Sequence, residues 1–170
     1  MRRTATLTFS LAFLALSGLA GSLAGCDGGG GGGPTGPVTC PGLGCECAGN
    51  NCMCDAATGC IWDTPGSASF SCQNGADCEA TCNTSCNLDC SEGASCDIEA
   101  GTSSNVTCDA SVCEVSAQAS TNIVCQNGAT CAVTCVGECN LNCSADSTCT
   151  LSCPGAMVRT VTGADSCAGL

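Results

Sequence analysis

The sequence predicts an all-β fold: a narrow, two-sided parallel β-solenoid of about 18 residues per coil, stapled by disulfides, behind a Gly-rich tether. Three observations predict it. Cys54, Cys72, Cys90, Cys108, Cys125 and Cys143 recur in steps of 18 residues with a single step of 17, and Cys60, Cys78, Cys96, Cys113, Cys131 and Cys149 repeat the same steps. Between the cysteine positions lies one aliphatic residue per segment, and these residues fall 8 and 10 apart in alternation, with one step of 9 where the coil is shortened. The chain also lacks the means to build a thick core. After residue 26 it has one Phe (Phe70), one Trp (Trp62) and no Tyr, so covalent staples must supplement burial.

The elements follow in order. Residues 1–25 read as a signal peptide, with Arg2 and Arg3 ahead of a mostly apolar run from Leu7 to Leu19 that is too short for an ordinary spanning helix. The run ends in Leu23-Ala24-Gly25-Cys26, which resembles the bacterial lipoprotein signal. That resemblance implies cleavage before Cys26, a lipid such as palmitate on this cysteine, and a membrane as partner through the lipid. Residues 26–39 are then the lipid anchor and a flexible linker, because Gly28 to Gly33 followed by Pro-Thr-Gly-Pro cannot bury apolar surface. Residues 40–53 form a Cys-rich cap, residues 54–157 the solenoid, and residues 158–170 a C-terminal cap or tail.

Within the solenoid, strand periodicity assigns the faces. In Cys86-Asn87-Leu88-Asp89-Cys90 one face carries Cys, Leu, Cys and the other Asn, Asp. Ile98, Val106, Val115, Ile123, Val133, Leu141 and Leu151 take the Leu88 place in later segments, and Trp62, Phe70 and Ala80 take it earlier. Trp62 and Phe70 suit the open end of the ladder. Turns such as Gln73-Asn74-Gly75-Ala76-Asp77 separate the strands, giving two strands and two turns per coil. A set of small disulfide knots would give no reason for the aliphatic residue in coil after coil.

The repeats also predict the pairing. Positions equivalent to Cys82 and Cys86 are lost together, as Thr64 with Ala68, Ala100 with Ser104, and Ala117 with Thr121, and return together as Cys135 with Cys139. Joint loss indicates bonding within a coil, across a turn. The expected bridges are Cys54–Cys60, Cys72–Cys78, Cys82–Cys86, Cys90–Cys96, Cys108–Cys113, Cys125–Cys131, Cys135–Cys139 and Cys143–Cys149, with Cys153–Cys167 by elimination. Cys40, Cys45, Cys47 and Cys52 make two more of open connectivity. Each short loop contributes about 2 kcal/mol by the chain-entropy estimate, and the coil must be pinched at its edges for the bridges to close.

Several function classes are excluded. The chain has no His, Tyr or Lys, so no Ser-His-Asp or Cys-His arrangement exists, and nothing singles out two carboxylates; no enzyme and no cofactor is expected. Without Arg2 and Arg3, Arg159 faces fifteen carboxylates, a formal charge of about −14, which excludes nucleic acid as a partner. Cys45-Glu46-Cys47 and Cys52-Met53-Cys54 resemble metallothionein pieces, which would hold zinc or copper(I), but an exported chain favours disulfides there. The 18-residue coil looks like the calcium-binding β-roll of RTX toxins, yet the Gly-Gly-x-Gly-x-Asp turns of that family are absent. An outward column of Glu79, Asp97 and Glu114 is the remaining cation candidate, and Asn87, Asn105, Asn122 and Asn140 form a second outward column. Stapled solenoids also resemble insect antifreeze proteins, whose Thr-x-Thr rows appear here only at Thr148-Cys149-Thr150.

The expectation is therefore a non-enzymatic lipoprotein of the bacterial cell envelope, at the outer membrane or cell surface in preference to the inner membrane. It would present a rigid acidic rod with a structural or adhesive role toward an envelope or surface protein or glycan. Asp27 after the lipidated cysteine resembles the inner-membrane retention signal of enteric bacteria. The alternative is a metal- or cation-binding lipoprotein. Intact mass tests the framework: residues 34–170 exported to an oxidising compartment should gain 22 hydrogens on reduction, one for each cysteine after Cys26. Free thiols carrying zinc or copper would sink the stapled reading.

Overall fold

A computed structural model describes residues 40, 44–55 and 59–168 of the chain. The expected signal, lipidation site Cys26 and tether lie outside the described residues. Among these there are strands and turns and no helix. The strands are β1 (Cys45–Ala48), β2 (Asn51–Cys54), β3 (Cys60–Thr64), β4 (Ser69–Cys72), β5 (Asp77–Thr84), β6 (Asn87–Cys90), β7 (Ser95–Thr102), β8 (Asn105–Asp109), β9 (Val112–Ala117), β10 (Thr121–Gln126), β11 (Thr130–Cys135), β12 (Cys139–Cys143), β13 (Thr148–Ser152), β14 (Arg159–Val161) and β15 (Gly163–Ser166).

From β2 to β13, successive strands alternate between two facing sheets. One sheet runs β1-β2-β4-β6-β8-β10-β12-β15 and the other β14-β13-β11-β9-β7-β5-β3. From β2 to β12, and from β3 to β13, every neighbour is parallel. The protein is a parallel β-solenoid with a coil of about 18 residues and two strands per coil. Both ends reverse direction: β1 pairs antiparallel with β2, while β14 and β15 pair antiparallel with β13 and β12. Parallel pairing begins at Asn51, where it meets Ser69, three residues before the boundary drawn from the cysteine period. The period starts at Cys54, but Cys52 already occupies the core column with Phe70 and Leu88.

The core is one side chain deep from each sheet. Cys52, Phe70, Leu88, Val106, Ile123 and Leu141 form one inward column, and Trp62, Ala80, Ile98, Val115, Val133 and Leu151 the other. All are buried. The missing residue of the shortened coil is absorbed in the turn between Cys108 and Cys113. Ser111 there takes the buried corner place of Ala76, Ala94 and Ala129, so the strand registers on either side stay aligned.

The turns belong to the ladder as much as the strands do. Ser67, Ser85, Ser103 and Ser120 all have φ between 54° and 62°, and Asn74, Glu92, Ala110 and Asn127 between 47° and 56°. These left-handed residues recur once per coil at the two corners. Among them the amides of Ser67, Ser85, Ser103 and Ser120 donate to the carbonyls of Thr84, Thr102, Ala119 and Glu138 in the next coil at 2.7–3.1 Å. The corner after Ala100 needs glycine for a different reason: a Cβ on Gly101 would lie 1.9 Å from the Asn83 carbonyl oxygen of the coil below.

Trp62 and Phe70 face each other across the first coil, their rings stacked with centroids 5.1 Å apart. Ala80 sits beside Trp62 in register, a small residue that leaves room for the indole. The indole Nε1–H is buried with no hydrogen-bond partner among the described residues. Losing that N–H should therefore cost little, while losing the ring should cost much. In denaturant unfolding, Trp62→Phe should stay within about 1 kcal/mol of wild type and Trp62→Ala should lose about 3–5 kcal/mol. Equal losses would show that the N–H has a partner.

Candidate functional site

Cysteine chemistry dominates the two corners of the coil. At the first, each bridge spans the turn between the two sheets: Cys54–Cys60, Cys72–Cys78, Cys90–Cys96, Cys108–Cys113, Cys125–Cys131 and Cys143–Cys149, with Cα separations of 6.2–6.5 Å. Facing sheets ordinarily lie about 10 Å apart, so the corner is pinched. At the second corner only Cys82–Cys86 and Cys135–Cys139 are bonded. The other coils place a hydroxyl and a methyl there, as Thr64 with Ala68, Ala100 with Ser104, and Ala117 with Thr121, all buried. The buried hydroxyls are engaged: Thr121 Oγ1 donates to the Gly101 carbonyl at 3.1 Å, and Ser104 Oγ accepts from the Cys86 amide at 3.2 Å.

The terminal caps complete the set. Cys153 bonds Cys167, tying the end of β13 to the residue after β15. The connectivity left open by the sequence is Cys40–Cys45 and Cys47–Cys52, the second pair directly opposite in the β1–β2 hairpin. The cysteines of both Cys-x-Cys pairs are thus engaged in disulfides, and bonded sulfur is not the thiolate that zinc or copper(I) selects.

The outer face of the β3–β13 sheet holds the acidic column. Glu79, Asp97 and Glu114 are successive register partners, bracketed by Ile61 and Ala132. Toward the N-terminal end a shallow depression is lined by Gly59, Ile61, Asp77, Glu79 and Asp97. Like charges at strand spacing repel, so this face favours a counter-ion over an anionic partner.

The opposite outer face carries the asparagine ladder. Asn105 Nδ2 donates to Asn87 Oδ1 at 3.1 Å, Asn122 to Asn105 at 3.3 Å, and Asn140 to Asn122 at 3.1 Å. Asn105 and Asn122 each donate down the column and accept from above, while Asn87 accepts and Asn140 donates at the ends, so the row stiffens the sheet.

Two polar features had weaker sequence signals. Asp109 accepts from Gln126 and Asn127 of the next coil at 3.0 and 2.8 Å, and Asp55 accepts from Asn74 in the same way. The hint was an acidic residue directly after a corner cysteine, one coil before an Asn. Arg159, the one cation after residue 3, pairs through Nε with Asp165 at 2.8 Å and joins the two closing strands. That contact holds the Asp165 carboxyl below the usual carboxylate range, chiefly through the hydrogen bond from Arg159. No helix among the described residues is long and apolar enough to cross a membrane.

No protein-family model, no curated protein and no solved structure matches this chain.

Asp89 lies beside the asparagine ladder, and desolvation, with the nearby Asp109 charge adding to it, raises its carboxyl above the ordinary aspartate value. A folded-state value above the unfolded one means that ionisation opposes folding. Stability should rise as pH falls through the raised value, by the contribution of this group, and the gain should be complete below the unfolded one. Asp89→Asn should accordingly unfold at higher denaturant than wild type at pH 7, and the difference should close in acid. A difference independent of pH would show that charge is not its cause.

Proposed function

We propose that the protein is a non-enzymatic bacterial lipoprotein of the cell envelope, anchored through lipid on Cys26, that presents a rigid acidic rod at the outer membrane or cell surface. The carrying observation is the run Leu23-Ala24-Gly25-Cys26 after two arginines and an apolar stretch, followed by six glycines. The solenoid supports a structural or adhesive role. Each coil is held by at least one corner bridge, the outer faces are polar rows at strand spacing, and the depressions on these faces are shallow. An exported, oxidising location agrees with its bridged cysteines. A partner would meet the rod through its polar faces, as an envelope or surface protein or glycan.

A second reading, a cation-binding lipoprotein, is favoured by the register-aligned column of Glu79, Asp97 and Glu114. The two readings separate by calorimetry, since only a cation site would bind calcium stoichiometrically and lose it in Asp97→Asn.

Lipid attachment is directly testable. Cells fed radiolabelled palmitate should label the wild-type chain, and Cys26→Ser should lose the label and leave the membrane fraction. A labelled Cys26→Ser protein, or an unlabelled wild type recovered as soluble chain, would overturn the anchor.

A further inference from the structure

The bridges at the first corner are stacked as well as spaced. In one sheet Cys72, Cys90, Cys108, Cys125 and Cys143 are successive register partners, and in the other Cys78, Cys96, Cys113, Cys131 and Cys149. Their sulfurs approach between coils. The Cys108 and Cys113 sulfurs lie within 4.8 Å of that of Cys131, and the Cys125 and Cys131 sulfurs within 4.8 Å of that of Cys149. Adjacent strands run about 4.8 Å apart, inside the Cα range of about 4.4–6.8 Å that a disulfide accepts. A bridge up the column is therefore sterically open to the same residues that bond across the turn.

We propose that the corner sulfurs from Cys108 to Cys149 form an intramolecular thiol–disulfide relay, in which a thiol created at one coil moves to the next by exchange. The proposal does not depend on the lipid anchor or on either reading of the outer faces. If Cys113 is left as a thiol, its thiolate attacks Cys131 Sγ. The Cys113–Cys131 bond forms, the Cys125–Cys131 bond breaks, and Cys125 departs as thiolate and takes up a proton. Cys125 next attacks its register partner Cys143, forming Cys125–Cys143, breaking Cys143–Cys149 and releasing Cys149. Each step makes one S–S bond and breaks one, so no oxidant or reductant is consumed.

In the intact chain an external dithiol must start the process. It is oxidised to its own disulfide while one protein bridge gains two electrons and two protons, and the resulting vacancy then moves. The corner sulfurs are buried, and exchange proceeds only through the thiolate, the minor form of an ordinary thiol at neutral pH. Exchange should therefore be slow at neutral pH and accelerate about tenfold per pH unit below the thiol's pKa.

The test removes one cysteine. Cys108→Ser, exported and purified under oxidising conditions, carries one stranded thiol. After incubation at rising pH, acid quench and maleimide alkylation, peptide mapping locates that thiol. The relay predicts label moving from Cys113 to Cys125 and Cys149, with new Cys113–Cys131 and Cys125–Cys143 bridges, at a rate independent of protein concentration. Label confined to Cys113 would overturn it. The variant is read if its far-ultraviolet circular dichroism matches wild type. Otherwise wild type treated with less than one equivalent of dithiothreitol decides: bridges between coils support the relay, and bridges only within coils refute it.

Discussion

The short covalent link across the corner is the constraint from which the rest of the structure follows. A disulfide fixes two backbones at about 6 Å, whereas free sheet packing would settle near 10 Å. With one such link in every coil, the interior has room for a single row of side chains from each sheet. That is why Val, Leu and Ile recur and the chain after residue 26 carries almost no aromatic residues. The two it has meet at the first coil, where Ala80 gives the indole space. Where the second corner lacks a bridge, a buried hydroxyl beside a methyl fills the same volume, and Ser104 and Thr121 hydrogen-bond to backbone of neighbouring turns.

Stacking adds the second direction. The strands bond coil to coil in register, the left-handed corner serines hand their amides to the next turn, and the asparagines on one outer face do the same with side chains. These contacts repeat at the same interval because the coil length is constant but for one residue. The one shortened turn keeps the register because the loss falls at a corner, where backbone geometry adapts, and not in a strand, where a one-residue slip would turn the core outward. The parallel repeat ends where the chain reverses, and the antiparallel strands β1, β14 and β15 occupy sheet edges that would otherwise template another chain.

The consequence is a body held by corner bridges and stacked strands in place of a thick core. Its faces are regular polar rows, one acidic and one amide. The corner bridges carry a property beyond stiffness. Because they are stacked at strand spacing, the bonded sulfurs of Cys108 and Cys113 lie close to that of Cys131 in the next coil, and those of Cys125 and Cys131 close to that of Cys149.

The sequence by itself determined the coil length, the two-strand unit, the inward aliphatic row and the outward columns of Glu79-Asp97-Glu114 and Asn87-Asn105-Asn122-Asn140, because strand alternation and a fixed repeat translate directly into faces and stacks. The joint loss of Cys82 and Cys86 equivalents indicated bonding across turns for the same reason. Only the tertiary structure decided how the ends close, that Cys40 bonds Cys45 and Cys47 bonds Cys52, and that Asp55, Asp109 and Arg159 tie neighbouring segments. These features occur once or twice, outside the period. A residue without a repeat has no internal copy to compare with, so its partner emerges only when the chain direction at the ends is known.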